Sequence, residues 1–393
     1  MKKNKNLIII AIICLINALG YGIIIPIIYT YSRKFGLNDF QNGMLFALFS
    51  ICQFLSTPLI GKLSDKYGRR PLLIFSLAGT ALSFFIAAFA PSVFFLFLAR
   101  ALDGITAGNI PVATAVISDT TDHTNRAKGF GIIGAALSLG FVIGPAISGF
   151  TVKYGLGVPF IIAGVISIIG TVVTFVFLPE TNKHVGQKID LKQIFDFSKL
   201  YTSLFDKAIG LTLLITLIYS FAWGLFAFSF QPFAVKILHI SLEGIASVFT
   251  VFGFIGFITQ MVLAHRIIKI VGEKKTLAVM LTMATLAFFG LFVVTSNSIF
   301  IFICVVFAFS NSIVNPLLQT FLSKEVDAKS QGTIFGLSSS YTSLGFIFGP
   351  IIGGILSTIS IPLPFLVGSG ICFICLLISI KIIKTVHLRE EAV

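Results

Sequence analysis

Apolar residues fall along this chain in twelve long blocks separated by polar or Pro/Gly-rich breaks. The blocks run over about 7–29, 42–60, 73–90, 93–118, 129–151, 157–178, 208–235, 244–264, 276–295, 298–322, 332–357 and 362–382. A helix needs about 20 apolar residues to cross a bilayer, so the pattern predicts an all-α membrane protein with twelve transmembrane helices, or spans. Two breaks are short, Ala90-Pro91-Ser92 and Ser296-Asn297-Ser298. Without them, two segments would be too long for one crossing. The first block starts at Leu7 and runs past Pro26 with no small-residue cleavage site, so it predicts a first span and not a cleavable leader.

The blocks also repeat. Ser138-Leu139-Gly140-Phe141-Val142-Ile143-Gly144-Pro145-Ala146-Ile147-Ser148-Gly149 returns as Ser343-Leu344-Gly345-Phe346-Ile347-Phe348-Gly349-Pro350-Ile351-Ile352-Gly353-Gly354, at an offset of 205. The same offset carries Phe130-Gly131 to Phe335-Gly336, Pro111 to Pro316, Ser118 to Ser323, and Arg69-Arg70 to Lys274-Lys275. One offset shared by three helices and a loop implies two six-helix bundles related by pseudo-two-fold symmetry. The expected organisation is an N-terminal bundle over 1–178, a cytoplasmic linker over 179–206 and a C-terminal bundle over 207–393. In the linker, Leu191, Ile194, Phe195, Tyr201, Leu204 and Phe205 fall near helical spacing, so part of it is expected to be an interfacial helix.

Composition agrees with burial in lipid. Hydrophobic residues make up 56% of the 393 positions and charged residues 11%, against about 25% charged in ordinary globular chains. With the N-terminus inside, 23 Lys and Arg residues fall on the cytoplasmic side. Four fall outside (Arg33, Lys34, Lys153, Lys236) and one, Arg100, within a span. That asymmetry orients a multi-pass protein with both termini cytoplasmic. The net charge of +13 is then a topology signal and a match to anionic lipid headgroups, with no nucleic-acid partner implied.

Of the fifteen acids only Asp103 falls well inside a span, about 15 Å from its outer end at 1.5 Å per residue. Arg100 lies three residues away on the same face. At the offset of 205 their counterparts are Val305 and Ala308, so the charges are not part of the shared scaffold. Buried charge in a membrane marks a substrate path or a proton relay, or else a static ion pair. Polar side chains that could line a cavity for a small-molecule substrate are Asn17, Tyr21, Gln53, Asn109, Trp223, Gln231, Gln260, Asn311, Asn315, Gln319 and Tyr341. Each could equally bond a neighbouring helix. Phe221, Phe226, Phe228, Phe230 and Phe233 make span 7 aromatic, for a drug pocket or for lipid. No G-x-x-x-x-G-K-[ST] loop occurs, the five histidines lie in or beside loops without metal spacing, and Cys372-x-x-Cys375 lies inside a span. No cofactor, metal site or enzyme activity is expected.

Gly61-Lys62-Leu63-Ser64-Asp65-Lys66-Tyr67-Gly68-Arg69-Arg70-Pro71 resembles the signature loop of the major facilitator superfamily. Arg100-Ala101-Leu102-Asp103-Gly104 resembles that family's second motif. Gly134 to Gly149 resembles the glycine-proline motif of its antiporter branch, with Ser148 where a glycine is usual. Leu15 to Pro26, Asp119-Thr120-Thr121 and Pro179-Glu180-Thr181 are similar to the twelve-span tetracycline and multidrug efflux group. The resemblance implies the major facilitator fold, a bacterial inner-membrane location and monomeric function. It implies that Gly61, Asp65, Gly68, Arg69, Arg70 and Asp119 form a conformational latch, with Asp65 facing the positive end of span 11. It also implies that Gly140, Gly144, Pro145, Gly149, Gly345, Gly349 and Pro350 form a close-packing face between the halves. The expected activity is proton-coupled drug efflux, with Asp103 carrying the proton and Arg100 setting its affinity. Membrane lipids, protons and a small molecule are the expected partners. An exporter or uncoupled carrier of a physiological solute (a sugar, siderophore or other metabolite) remains the alternative. Tetracycline exporters carry acids where this chain has Asn17 and Ser83, which argues for neutral or hydrophobic substrates.

Overall fold

Twelve helices of the computed structural model are long and apolar enough to cross a membrane, and the described residues contain no strand. The structure describes residues 2–120, 123–182, 186, 197–206, 208–326 and 331–390. Leu191, Ile194 and Phe195 of the expected linker helix lie outside them. The spans are Leu7–Ile24, Asp39–Tyr67, Arg69–Ala88, Val93–Thr120, Gly131–Tyr154, Val158–Phe177, Gly210–Lys236, Leu242–Val271, Glu273–Val293, Asn297–Lys324, Ile334–Ile359 and Leu363–Lys381. They are numbered 1 to 12 in that order.

The sequence repeat reappears as a repeat of packing. Span 1 lies on spans 5 and 6, and span 7 on spans 11 and 12. Span 3 lies on spans 4 and 6, and span 9 on spans 10 and 12. Glycine explains how the first pairs approach so closely. A methyl at Gly144 would come within 2.8 Å of the Gly22 backbone, and one at Gly349 within 2.7 Å of Gly224 Cα. Small residues allow such backbone contact, which dispersion then stabilises. Gly140, Gly144 and Pro145 thus pack on span 1, and Gly345, Gly349 and Pro350 on span 7. Each set joins helices of one sequence half. The same motifs also meet the other sequence half: a methyl on Gly253 would lie 2.5 Å from Phe141 O and one on Gly43 would run into Pro350 O, while Gly149 faces Ala246 and Gly354 faces Asp39 and Gly43.

That crossing shows in the two compact units of the chain. One holds residues 1–38, 48–195 and 241–254; the other holds 39–47, 196–240 and 255–393. Each unit is a six-helix half that gives up the first stretch of its second helix (span 2 or span 8) and takes in the counterpart stretch. Both donor helices are irregular further along. Span 2 contains Pro58, and span 8 contains a π-helical turn over Thr259–Leu263.

Two local features depart from expectation. Span 4 is not one helix. It runs as Val93–Thr106 and resumes as Asn109–Thr120. Pro111 removes the hydrogen bond to residue 107 and its ring crowds that carbonyl. Gly108 sits directly against Ile60, where a side chain would not fit. Span 10 carries the equivalent Pro316 inside an unbroken helix, Asn297–Lys324, with Ile313 in place of Gly108. The second departure concerns the loop repeat. Gly68 (φ 105°) and Gly272 (φ 85°) both cap the helix that follows. In structure, therefore, Arg69 corresponds to Glu273 and Arg70 to Lys274. This is one residue away from the Arg69-Arg70 to Lys274-Lys275 match read from sequence.

Candidate functional site

In the unit that contains span 4, Arg100 Nη1 donates to Asp103 Oδ2 at 3.0 Å, and both side chains are about nine-tenths buried. Helical spacing of three residues makes the pair. The guanidinium also lies over the Phe49 ring, 4.2 Å from its centroid, and its Nε has no partner. A cation held on an aromatic face and a carboxylate is fixed in direction as well as charge. Span 2 can approach here because residue 104 is glycine: a methyl would fall 2.7 Å from Cys52 Cβ. Tyr21 stands next in the chain of rings, 5.8 Å from both Phe49 and Phe141, and keeps 37% of its surface exposed.

The helix break lies one turn beyond this pair, and side chains bond to the carbonyls that lead into it. Ser56 Oγ donates to Gly104 O at 3.0 Å, Thr106 Oγ1 to Leu102 O at 2.9 Å, and Ser76 Oγ to Thr106 O. At the restart, Asn109 Nδ2 donates to Asn17 Oδ1 at 2.8 Å, joining spans 4 and 1. Asn109 Oδ1 is buried without a partner. Asn17, Tyr21, Gln53, Arg100, Asp103 and Asn109 therefore belong to one polar region of one unit, with Gln53 half-buried beside Gly104.

The other unit disperses its candidates. Asn311 accepts from Tyr219 at 3.1 Å, and Gln319 donates to Ser338 at 2.9 Å. Gln231 is fully buried. Tyr341 is 1% exposed, and its hydroxyl meets Leu200 O and Ser203 Oγ at the end of the linker. Asn315 and Gln260 are exposed, Gln260 within the π-helical turn. Trp223 is half-buried and stacks on Phe226 at 5.5 Å. Four of the five phenylalanines of span 7 face neither of the two surroundings expected for them; Phe221 is half-buried. Phe226, Phe228, Phe230 and Phe233 are at most 1% exposed; Phe226, Phe230 and Phe233 pack with Phe288, Phe300, Phe307 and Phe365 between helices, and Phe228 meets Phe46.

The signature loop is a network around Arg69. Its Nε donates to Asp119 Oδ2 at 3.1 Å, while Nη1 meets Asp65 Oδ1 and Ser64 Oγ, both at 2.6 Å. Arg70 donates to Phe175 O and lies over the Phe175 ring. Glu180 is a member that sequence reasoning named only as part of a motif. Its carboxylate accepts the backbone N–H groups of Arg69 at 2.9 Å and Arg70 at 3.1 Å, neutralising the start of span 3. It fits there because Gly68 has a positive φ and no Cβ. At Gly61, a methyl would meet no described atom within 4 Å.

The second half builds the corresponding pair with its charges exchanged. Lys324, at the offset position of Asp119, meets Glu273, the structural counterpart of Arg69, at 2.7 Å. Sequence reasoning also missed Asp39 and Lys236, 197 residues apart, which form a bidentate ion pair at 2.9 and 2.7 Å. No local pattern could have linked them. No group of three or more His, Cys, Asp or Glu side chains among the described residues could hold a metal ion.

Comparison with known proteins adds an independent line. The sequence profile of the Major Facilitator Superfamily matches residues 10–343 and 212–392. The chain is 32% identical over 371 residues to Multidrug resistance protein 1 of Bacillus subtilis (strain 168), covering 93% of this chain and 92% of that protein. It is 30% identical over 388 residues to Tetracycline resistance protein, class B, of Escherichia coli, covering 95% and 94%. The crystal structure of the human organic anion transporter MFSD10 (TETRAN) matches with a TM-score of 0.75 at 20% identity, over 96% of this chain and 99% of that one, a likeness of fold.

Proposed function

Because the chain belongs to the Major Facilitator Superfamily, and so is a multi-pass membrane transporter and not an enzyme, we propose that it exports hydrophobic or cationic drugs by proton-coupled alternating access. The observation that carries this reading is the Arg100–Asp103 pair, buried in a span beside a helix break. The other half has Val305 and Ala308 there and no break. Proton uptake by Asp103 would cancel one charge of a desolvated pair and change which cavity orientation is favoured. The substrate would be met first by Tyr21, Gln53 and the Asn17–Asn109 pair. Relatives named for multidrug and tetracycline resistance support export of drugs.

The protein would work as a monomer in a bacterial cytoplasmic membrane, with both termini inside and bundles 1–178 and 207–393 joined by the linker. Arg69, Arg70, Asp65, Gly61, Gly68, Asp119 and Glu180 would then be the inner latch, and Asp39 with Lys236 its outer counterpart. Rocking needs both to break in turn.

The test uses proteoliposomes containing a pH dye, with ethidium, a fluoroquinolone, tetracycline and several sugars added in turn under a proton gradient. Drug-dependent proton movement, lost in Asp103→Asn with substrate binding retained, is expected. Concentration of drug by Asp103→Asn against a gradient would sink the coupling role. The second reading, an uncoupled carrier of a physiological solute, draws on the same pair. Arg100 is held by Phe49 as well as Asp103, as in a static brace. Proton-independent flux of a metabolite, with silence for every drug, would favour it.

A further inference from the structure

The short helix Phe197–Ser203, just before span 7, has two unlike faces. One is fixed to the protein. Leu200 and Leu204 pack on Ile209, Leu213, Leu322, Ile334 and Tyr341, at the shared end of spans 7, 10 and 11. The Tyr341 hydroxyl bonds Leu200 O and Ser203 Oγ. The turn into span 7 is equally constrained: Asp206 Oδ1 accepts the backbone N–H groups of Ala208 at 2.8 Å and Ile209 at 3.1 Å. The other face carries Tyr201 and Phe205, 67% and 70% exposed, with ring centroids 5.1 Å apart. A helix this short, held by Ile209, Leu213, Leu322, Ile334 and Tyr341, does not swing its rings inward. Two adjacent aromatic rings directed away from the protein are costly in water.

We propose that this face lies in the headgroup layer of an anionic membrane leaflet, making the end of the linker a lipid anchor for the half that begins with span 7. Position favours lipid, because the helix sits where three apolar spans end, at the depth where interfacial aromatic residues are enriched. Charge favours anionic lipid. Five lysines, Lys183, Lys188, Lys192, Lys199 and Lys207, fall in this stretch of the chain against four acids, Glu180, Asp190, Asp196 and Asp206. Two of its acids are turned to backbone instead, Glu180 to the start of span 3 and Asp206 to the start of span 7. Lysines near a negative leaflet add attraction, which salt weakens. The anchor also has a route into the protein, since Tyr341 belongs to span 11, which packs on span 7. The anchor does not depend on what the protein transports.

The chain has a single tryptophan, Trp223, so a reporter can be moved. Trp223→Phe combined with Tyr201→Trp is reconstituted in phosphatidylglycerol-containing vesicles and in neutral phosphatidylcholine vesicles. Phe205→Trp in the same background is the second reporter. Emission is read against a headgroup-borne quencher, a deep acyl-chain quencher and aqueous acrylamide. The expected result is strong headgroup quenching and weak acrylamide quenching, both more marked with phosphatidylglycerol and reduced by salt. Acrylamide quenching equal to that of free tryptophan amide would overturn the proposal. So would identical lipid quenching in anionic and neutral vesicles. As a second readout, Tyr201→Ser with Phe205→Ser should erase the phosphatidylglycerol-dependent rise in melting temperature while leaving the melting temperature in neutral detergent unchanged. An undiminished rise would also overturn it.

Discussion

Lys236, in the last turn of span 7, holds both carboxylate oxygens of Asp39, in the first turn of span 2. The carboxylate is 8% exposed and the ammonium 30%. Around it, span 11 comes so close that a methyl on Gly354 would lie 2.9 Å from Asp39 O. Asp39→Asn removes the carboxylate charge that faces a half-buried Lys236, which costs about 1.5–3 kcal/mol, or roughly ten- to a hundredfold in the conformational equilibrium. The population should move toward the state in which spans 2 and 7 part. Spin-label distances between those helix ends measure it, and the exchange Asp39→Lys with Lys236→Asp should restore the original distribution. A wild-type distribution in Asp39→Asn would rule out a gating role.

The cap on span 3 gives a stability ranking. Gly68→Ala forces a residue with a side chain to positive φ, at about 1–2 kcal/mol, and drives its Cβ into Glu180. Glu180→Ala removes the charged acceptor of two backbone N–H groups, at about 1 kcal/mol or somewhat more. Glu180→Gln keeps an acceptor and should lose least. Melting temperatures in detergent should fall in that order; equal melting temperatures for all three would mean the cap carries no stability.

The broken span offers a matched pair of substitutions. Pro111→Ala restores an N–H able to reach residue 107, and a straightened helix would draw Asn109 away from Asn17. Transport should slow by about tenfold or more, equivalent to about 1.4 kcal/mol. Pro316→Ala, in the unbroken counterpart, should change the rate by less than about twofold. Initial rates in proteoliposomes make the comparison, and equal effects would show the break to be incidental.

The two exchanged ion pairs should differ in weight. Lys324 and Glu273 are 60% and 29% exposed, so Glu273→Gln should cost at most about 1 kcal/mol. Arg69 is 11% exposed and Asp119 also accepts Thr181 Oγ1 at 3.4 Å. Asp119→Asn should therefore lower the melting temperature more than Glu273→Gln. The reverse order would count against a network centred on Arg69.

Hydropathy and a repeated motif were enough to find the spans, because lipid demands long apolar helices whatever their packing. The lone acid within a span pointed to Asp103 and Arg100, which do meet. The break in span 4 was hidden: Pro111 has its counterpart in Pro316, and only tertiary packing, Gly108 on Ile60, separates their effects. The aromatic run of span 7 misled for a related reason. Phenylalanine is equally at home in lipid, in a pocket and between helices, and only the neighbours Phe288, Phe300, Phe307 and Phe365 distinguish them. Asp39 and Lys236 carry no local signal at all. Polar residues likewise do not announce their partners, and Tyr341 proved to hold the linker.

The exchange of helix ends between the compact units bears on how the chain is made. Residues 39–47 leave the ribosome long before Lys236, Pro350 and Gly354, the residues on which they pack. Through most of synthesis this stretch lacks Lys236, Pro350 and Gly354, three of its native contacts. The first half cannot finish folding as a unit while the second is still being translated. That segment stays open to chaperones, to lipid and to wrong partners until span 11 arrives.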